Sequence, residues 1–422
     1  MHEYNRKQPH LDWPESESMN KVNKEQVLEV LTRGVVDVVD YDHLLKRMLA
    51  GDRLRVKFGI DPTGPNIHIG RGSTIKKLRE FQKLGHQIVL IIGDGTGMVG
   101  DSSDKTEGRR MLTDKEISEN ERNYLDQIGK IIDLKKTEVH HNSEWIDKLI
   151  PRKWIELASL FTIQQMIERD NFAKRIKAGK PIGYQEGMYS MLQGFDSVAI
   201  KADVEIGGTD QLFNLLAGRR VQKYFGQESQ DIITLLLLAG TDGRKMSTSW
   251  GNVILIKDLP IEKFGRIMSI ADYLIPTYFE CATEIPMKRV EEIKKALDEG
   301  KGNPMEFKKE LAFEIVSFYD GEKAAEDAKN YFEHTVQKKE IPEVIPLAIS
   351  VSDHIGIRDV ISHLVISNIV KSKSEGKRLL SSGAISADGK RLKDNDSIVI
   401  NIPNEGIVIK VGKRKFLKIT HS

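Results

Sequence analysis

A histidine and an arginine three residues apart, His68 and Arg71, stand in the stretch DPTGPNIHIGRG (61–72), directly after the apolar run LRVKFGI. Two prolines fix the path of that segment, and its glycines let a ligand come close to the backbone. A loop that leaves the C-terminal end of a parallel strand and enters a helix is where doubly wound folds bind nucleotides. A helix start near Ser73 adds backbone donors and a positive dipole end, so His68 and Arg71 read as phosphate donors. A second loop, DGRKMSTSW (242–250), offers Arg244, Lys245, Ser247, Thr248 and Ser249. Closed over a triphosphate, its cations would stabilise charge building up on a leaving pyrophosphate. Either loop alone also fits a solvated turn, whereas the two together favour phosphate chemistry.

Acceptors come from elsewhere. YSMLQGFD (189–196) sets Tyr189, Gln193 and Asp196 near one face of a helix. GGTDQ (207–211) puts Asp210 and Gln211 after one apolar run, and GTGMVGDSS (95–103) puts Asp101 after another. Acceptors on separate elements that converge on one pocket suit a substrate carrying an ammonium group. Each alone fits a cap or a surface polar residue, and 189–196 equally fits a plain amphipathic face.

The elements that would carry these residues are an alternation of strands and helices. Residues 24–51 show helical spacing broken at Gly34, which predicts two short helices. LRVKFGI reads as a strand, STIKKLREFQKLG as a helix ending at Gly85, and QIVLIIGD as the next strand. That unit implies a right-handed parallel crossover and an α/β body. Helices are expected over 114–132 and 151–177, a further strand within KKTEVHHNSEWI, and strands KADVEIGG and IITLLLL to complete the sheet. Beyond about Ile254 charged helical stretches take over until Pro342; the proline-bearing segment that follows suits a linker. The last seventy or so residues read as two helices, a DG turn and the strands SIVINI, GIVIKVG and KFLKIT.

At 422 residues the chain is long enough for more than one core. A composition of 39% apolar and 30% charged residues is that of an ordinary soluble protein, and no run is long enough for a membrane span. The single cysteine, Cys281, excludes an internal disulfide and favours a reducing compartment, the cytoplasm. Residues 1–18 are polar and read as a disordered lead-in. The net charge of +2 conceals an asymmetry: from His354 onward thirteen Lys and Arg face six Asp and Glu, leaving the remainder acidic. A basic tail on an acidic body points to a polyanionic partner, nucleic acid first.

The two cationic loops resemble the two signatures of class I aminoacyl-tRNA synthetases, His-Ile-Gly-His at 68–71 and Lys-Met-Ser-Lys-Ser at 245–249. Arg71 replaces the second histidine and Thr248 the second lysine, whose charge would fall to Arg244 or Lys245. With the acceptor motifs, the chain is similar to the tyrosyl-tRNA synthetases from about Leu31 onward. The resemblance implies a Rossmann-like doubly wound parallel-sheet catalytic domain (19–254), an α-helical anticodon-side domain (255–340) and a linker (341–353). After these it implies a small α+β domain of the alpha-L, ribosomal S-four type (354–422), in which Lys371, Lys373, Lys377 and Arg378 meet RNA.

By the same resemblance, His68, Arg71, Lys245 and Thr248 are catalytic. ATP is held by Asp61, Thr63, His68, Gly70, Arg71, Thr74, Asp210, Lys245, Ser247 and Thr248. Tyrosine is held by Asp101, Tyr189, Gln193, Asp196 and Gln211, with Asp196 taking the phenol hydroxyl. Some members carry a tyrosine where this chain has Lys57, which leaves Asp196 as the main discriminator. Rejecting phenylalanine by a buried acceptor left unpaired is an effect for which this enzyme family is itself the usual example. The implied reaction joins L-tyrosine and ATP, with Mg2+ accompanying the nucleotide, into tyrosyl-adenylate, and then charges tRNA(Tyr); the implied assembly is a homodimer. The rivals are a tryptophanyl-tRNA synthetase and a synthetase-derived RNA-binding protein without catalysis.

Overall fold

The computed structural model of the chain describes residues 23–97, 113–337, 346–392, 399–412 and 415–421. It separates into two compact units, residues 1–322 and 323–422.

The first unit is built on six strands: β1 (Val35–Val39), β2 (Arg55–Ile60), β3 (Gln87–Ile92), β4 (Thr137–His141), β5 (Val204–Gly208) and β6 (Asp231–Leu235). Their order is β1-β6-β5-β2-β3-β4, with β6 through β4 parallel and β1 antiparallel to β6. Every residue of β3 and of β6 is buried, as strands covered on both faces require. The chain winds from β2 outward through β3 to β4 and then from β5 outward to β6. The order therefore reverses between β2 and β5, and a crevice opens there at the carboxyl ends of the strands. Helices Ile69–Lys83, Tyr184–Ala199 and Leu212–Tyr224 border this switch point, and four helices between Pro260 and Asp320 follow the sheet. No helix among the described residues is long and apolar enough to cross a membrane.

Three expectations need correction. Residues 24–51 hold two helices, Lys24–Thr32 and Tyr41–Ala50, but β1 lies between them. Left-handed residues at Gly34 (φ 64°) and Asp40 (φ 70°) interrupt the helical path, and the β-branched VVDVV between them pairs with the sheet edge. The helix expected from Ser73 begins at Ile69, with His68 as its N-cap. Gly70 and Gly72 are poor helix formers, but the buried Ile67 and Ile69 and a backbone bond from the Ile69 N–H to the Ile254 carbonyl hold the first turn. The stretch read as a linker supplies β7 (Leu347–Ser350), which pairs in parallel with the final strand despite the prolines nearby.

In the second unit that final strand, β13 (Lys415–His421), joins β7, β9 (Ile385–Ala387), β10 (Lys390–Arg391) and β12 (Ile407–Val411) in the order β10-β9-β12-β13-β7. β8 (His354–Gly356) and β11 (Val399–Asn401) form a separate pair. Helices Ile357–Ile366 and Lys373–Ser381 share one apolar core with the sheet, made by Val360, Ile361, Leu364, Ile409, Leu417 and Ile419 among others. Lys371, Lys373, Lys377 and Arg378 are exposed at and within the second helix. Residues 1–18 lie outside the described residues.

Candidate active site

Asp61, the residue after β2, is buried and held from two sides. Its Oδ1 accepts from the Thr96 hydroxyl at 2.9 Å and its Oδ2 from the Tyr189 hydroxyl at 2.9 Å. Gly93 makes room for it, since a Cβ there would lie 2.0 Å from Asp61 Oδ1. The Asn142 amide, at the end of β4, donates to Thr96 Oγ1 at 2.9 Å and to Asp196 Oδ2 at 3.4 Å. The Trp145 indole donates to Asp196 Oδ1 at 2.8 Å. One hydrogen-bonded chain thus links Tyr189, Asp61, Thr96, Asn142 and Asp196 along the crevice. Asp196 is 3% exposed. Burial pushes its carboxyl up to about 7, against the pull of Lys57 and of the Trp145 and Asn142 donors.

The same cleft also carries cations. The Nδ1 of His68 accepts the Arg71 N–H at 3.3 Å, which puts the proton of a neutral ring on Nε2. Arg71 reaches the Tyr124 hydroxyl at 3.3 Å. The first signature segment is joined by backbone to the stretch that follows the second: His68 bridges to Leu255, and the Ile256 N–H bonds to the Ile67 carbonyl at 2.9 Å. Gly70 permits the approach, because a Cβ there would meet the His68 ring at 3.0 Å and Met246 Sδ at 3.3 Å. Lys245 Nζ lies 2.7 Å from Asp210 Oδ2. Between the two candidates for the missing lysine charge, the structure separates Lys245 from Arg244. Arg244 is turned onto Asp242, at 2.6 Å, and over the Trp250 ring at 4.7 Å. Asp242 is held down to about 2 by the Asn252 amide and Arg244.

A single cleft brings together Asp61, Thr63, His68, Gly70, Arg71, Thr74, Tyr189, Gln193, Asp196, Asp210, Gln211 and Lys245. Ser247 and Thr248 are not on its wall. The Ser247 N–H is tied to Asn252 Oδ1 at 2.9 Å, and Thr248, exposed, opens a short turn to Trp250. Asp101 lies outside the described residues. Thr96, Asn142, Trp145 and Glu205 escaped sequence reasoning. For Asn142 a signal was present, its position just after an expected strand at the carboxyl edge. For the others no local pattern existed.

Residues 49–337 match the family of class I tRNA synthetases (W and Y). The tyrosine–tRNA ligase of Thermotoga maritima is 45% identical over 397 residues, which are 94% of this chain and 98% of that protein. That of Carboxydothermus hydrogenoformans is 44% identical over 399 residues, 93% of this chain and 97% of that one. Among solved structures, the tyrosyl-tRNA synthetase of Archaeoglobus fulgidus complexed with L-tyrosine superposes with a TM-score of 0.59 at 19% identity, covering 73% of this chain and 100% of that chain. This last likeness is one of fold.

Proposed function

The chain belongs to the class I tRNA synthetases (W and Y), and within them to the tyrosine–tRNA ligases; from that premise we propose how its cleft activates tyrosine. Its substrates are tyrosine, ATP and tRNA. The observation that carries the assignment of residues is the convergence of acceptors (Asp61, Tyr189, Gln193, Asp196, Gln211) and donors (His68, Arg71, Lys245) on one cleft at the sheet's switch point.

The phenol hydroxyl of tyrosine donates to Asp196 and its ammonium faces Tyr189 and Gln193. The carboxylate attacks the α-phosphorus of ATP in line, the bond to the β-phosphate oxygen breaks, and pyrophosphate leaves with the electron pair. His68, Arg71 and Lys245 stabilise the charge that accumulates, so catalysis is positioning plus electrostatics with no covalent nucleophile. Magnesium accompanying ATP would be held mainly by the nucleotide itself and would offset phosphate charge, alongside His68, Arg71 and Lys245. Lys245 exchanges Asp210 for phosphate as the loop closes, and Asp210 then turns to the ribose. Pyrophosphate exchange measured with each of the twenty amino acids tests the reading: tyrosine alone is expected to support it. Exchange with tryptophan, or with none, overturns it.

The exposed Lys371, Lys373, Lys377 and Arg378 form a phosphate-binding face on the second unit. Their joint replacement by alanine lowers kcat/KM for tRNA and flattens the salt dependence by about one unit of slope for each phosphate no longer neutralised, with tyrosine-dependent exchange unchanged. Equal salt slopes for wild type and variant would remove the RNA role. Residues 255–340 act on the anticodon side, with β7 extending the RNA-binding domain into the expected linker. The enzyme works in the cytoplasm, where a single buried Cys281 stays reduced. The active assembly is a pair of identical chains. It is supported by apolar side chains left open between 150 and 184, Ile155 at 71% and Ile163 at 76% exposure among them. The double substitution Ile155→Glu and Ile163→Glu shifts the light-scattering mass from two chains to one, and a wild-type mass of one chain sinks the proposal.

A further inference from the structure

Lys57 on β2 and Glu205 on β5 occupy the same register of the parallel pair, next to each other at the switch point. Both are fully buried, at 0% and 1% exposure. The Lys57 ammonium has three acceptors, one for each proton: the Gln193 backbone carbonyl at 2.8 Å, Ser197 Oγ at 2.8 Å and Glu205 Oε1 at 2.9 Å. Glu205 accepts in addition from Gln193 Nε2 at 3.1 Å, from Ser197 Oγ at 3.3 Å and from the Gln230 amide. Such a pair is an uneconomical way to fill a core, because well-packed apolar residues of similar volume stabilise as well or better. Its presence at the cleft, which Glu205 helps to line, calls for a reason other than stability.

The chemistry of the carboxylate supplies one. An ionised carboxylate only accepts, so the Gln193 amide must present its NH2 group to Glu205. An amide is planar, and its carbonyl oxygen is thereby sent the other way, on a residue that lines the cleft. We propose that the buried Lys57–Glu205 pair is a positioning element for amino-acid recognition, in which Glu205 locks the Gln193 amide with its oxygen toward the substrate ammonium and Lys57 provides the counter-charge. A free amide could turn over and meet the ammonium with its own NH2, a repulsive arrangement. The pair also bears on Asp196: among the influences on its carboxyl, burial comes first, Lys57 pulls against it and Glu205 adds to it. Lys57 and Glu205 are thus positioning residues, and neither need touch tyrosine.

This inference rests on placing the tyrosine ammonium at Gln193, and three variants of the full-length enzyme separate the two claims. Tyrosine-dependent pyrophosphate exchange is measured with KM for tyrosine, KM for ATP and kcat resolved. Gln193→Ala and Glu205→Gln are both expected to raise the tyrosine KM by about tenfold or more, as loss of one oriented hydrogen bond to a charged group does, with the ATP KM within about twofold. The double variant Lys57→Met with Glu205→Gln carries no charge at either position. It is expected to melt close to wild type yet keep the raised tyrosine KM, which a purely structural role would not produce. If Gln193→Ala raises the tyrosine KM while Glu205→Gln and the double variant leave it at the wild-type value, the positioning role is overturned. If Gln193→Ala itself has no effect, the placement of the ammonium fails, and the inference with it. Where Glu205→Gln alone does not fold, the double variant decides.

Discussion

Replacing His68 with alanine is expected to slow tyrosyl-adenylate formation by about 10²–10³-fold, the usual cost of one lost transition-state donor. Equilibrium binding of tyrosine should stay within about twofold. The separation follows from where the ring sits. Its Nδ1 is committed to the Arg71 N–H at the start of helix Ile69–Lys83, so the imidazole is fixed rather than swinging, and its proton lies on Nε2. The donor lines the cleft with Arg71 and Lys245, at the start of one helix, whereas Asp196 comes from another, Tyr184–Ala199. A group that meets charge appearing only as pyrophosphate leaves contributes to kcat and not to ground-state affinity. Single-turnover adenylate formation and equilibrium dialysis measure the two quantities. Equal losses in both would assign His68 to the fabric of the pocket instead.

Asp196→Ala is expected to act on specificity. Removing the acceptor for the phenol hydroxyl raises the tyrosine KM by about 10–100-fold, the 1–3 kcal/mol of an unmade hydrogen bond in a buried site, and brings tyrosine and phenylalanine much closer together. Trp145 and Asn142 lose their shared acceptor in the same step, so Asp196→Asn is the informative companion. The pH dependence has a definite sign. The carboxyl titrates near 7, raised chiefly by burial. Below that pH it is protonated and offers a donor where the phenol needs an acceptor; above it the carboxylate accepts. In the wild type kcat/KM for tyrosine therefore rises with pH through about 7 and levels off, since this ratio reports ionisations of the free enzyme. A flat profile between pH 6 and 8, or the same rise in Asp196→Ala, would contradict the role.

Much of the site is legible in the sequence. Proline and glycine after an apolar run mark a strand leaving the sheet for a helix, and the residue types on that loop suit only a few ligands; His68 and Arg71 follow from this, whereas Asp61 is implied only by the family resemblance. The Tyr189, Gln193 and Asp196 spacing follows from helical geometry alone. Other features have no local sign. β1 is hidden because VVDVV is short and its pairing with β6 is decided by the sheet edge, not by its own periodicity. β7 is hidden by flanking prolines and becomes a strand only because β13 offers it a partner. Arg244 and Lys245 are adjacent and alike in charge, yet Asp242 and Trp250 claim the first and the cleft takes the second.

By itself the sequence determined the order of the parallel strands and the helices between them, though not β1 or β7, together with the chemical types in the two cationic loops and a family resemblance that the relatives uphold. Each is a property of residues close together in the chain, where propensity and spacing act directly. Only the tertiary structure decided which distant groups meet. It set the His68 turn against Leu255, fixed Asp61 between Thr96 and Tyr189, and placed Lys57 opposite Glu205 beneath Gln193. Such meetings depend on strand order and register, and a buried charge is tolerable only where the whole packed sheet supplies its partner.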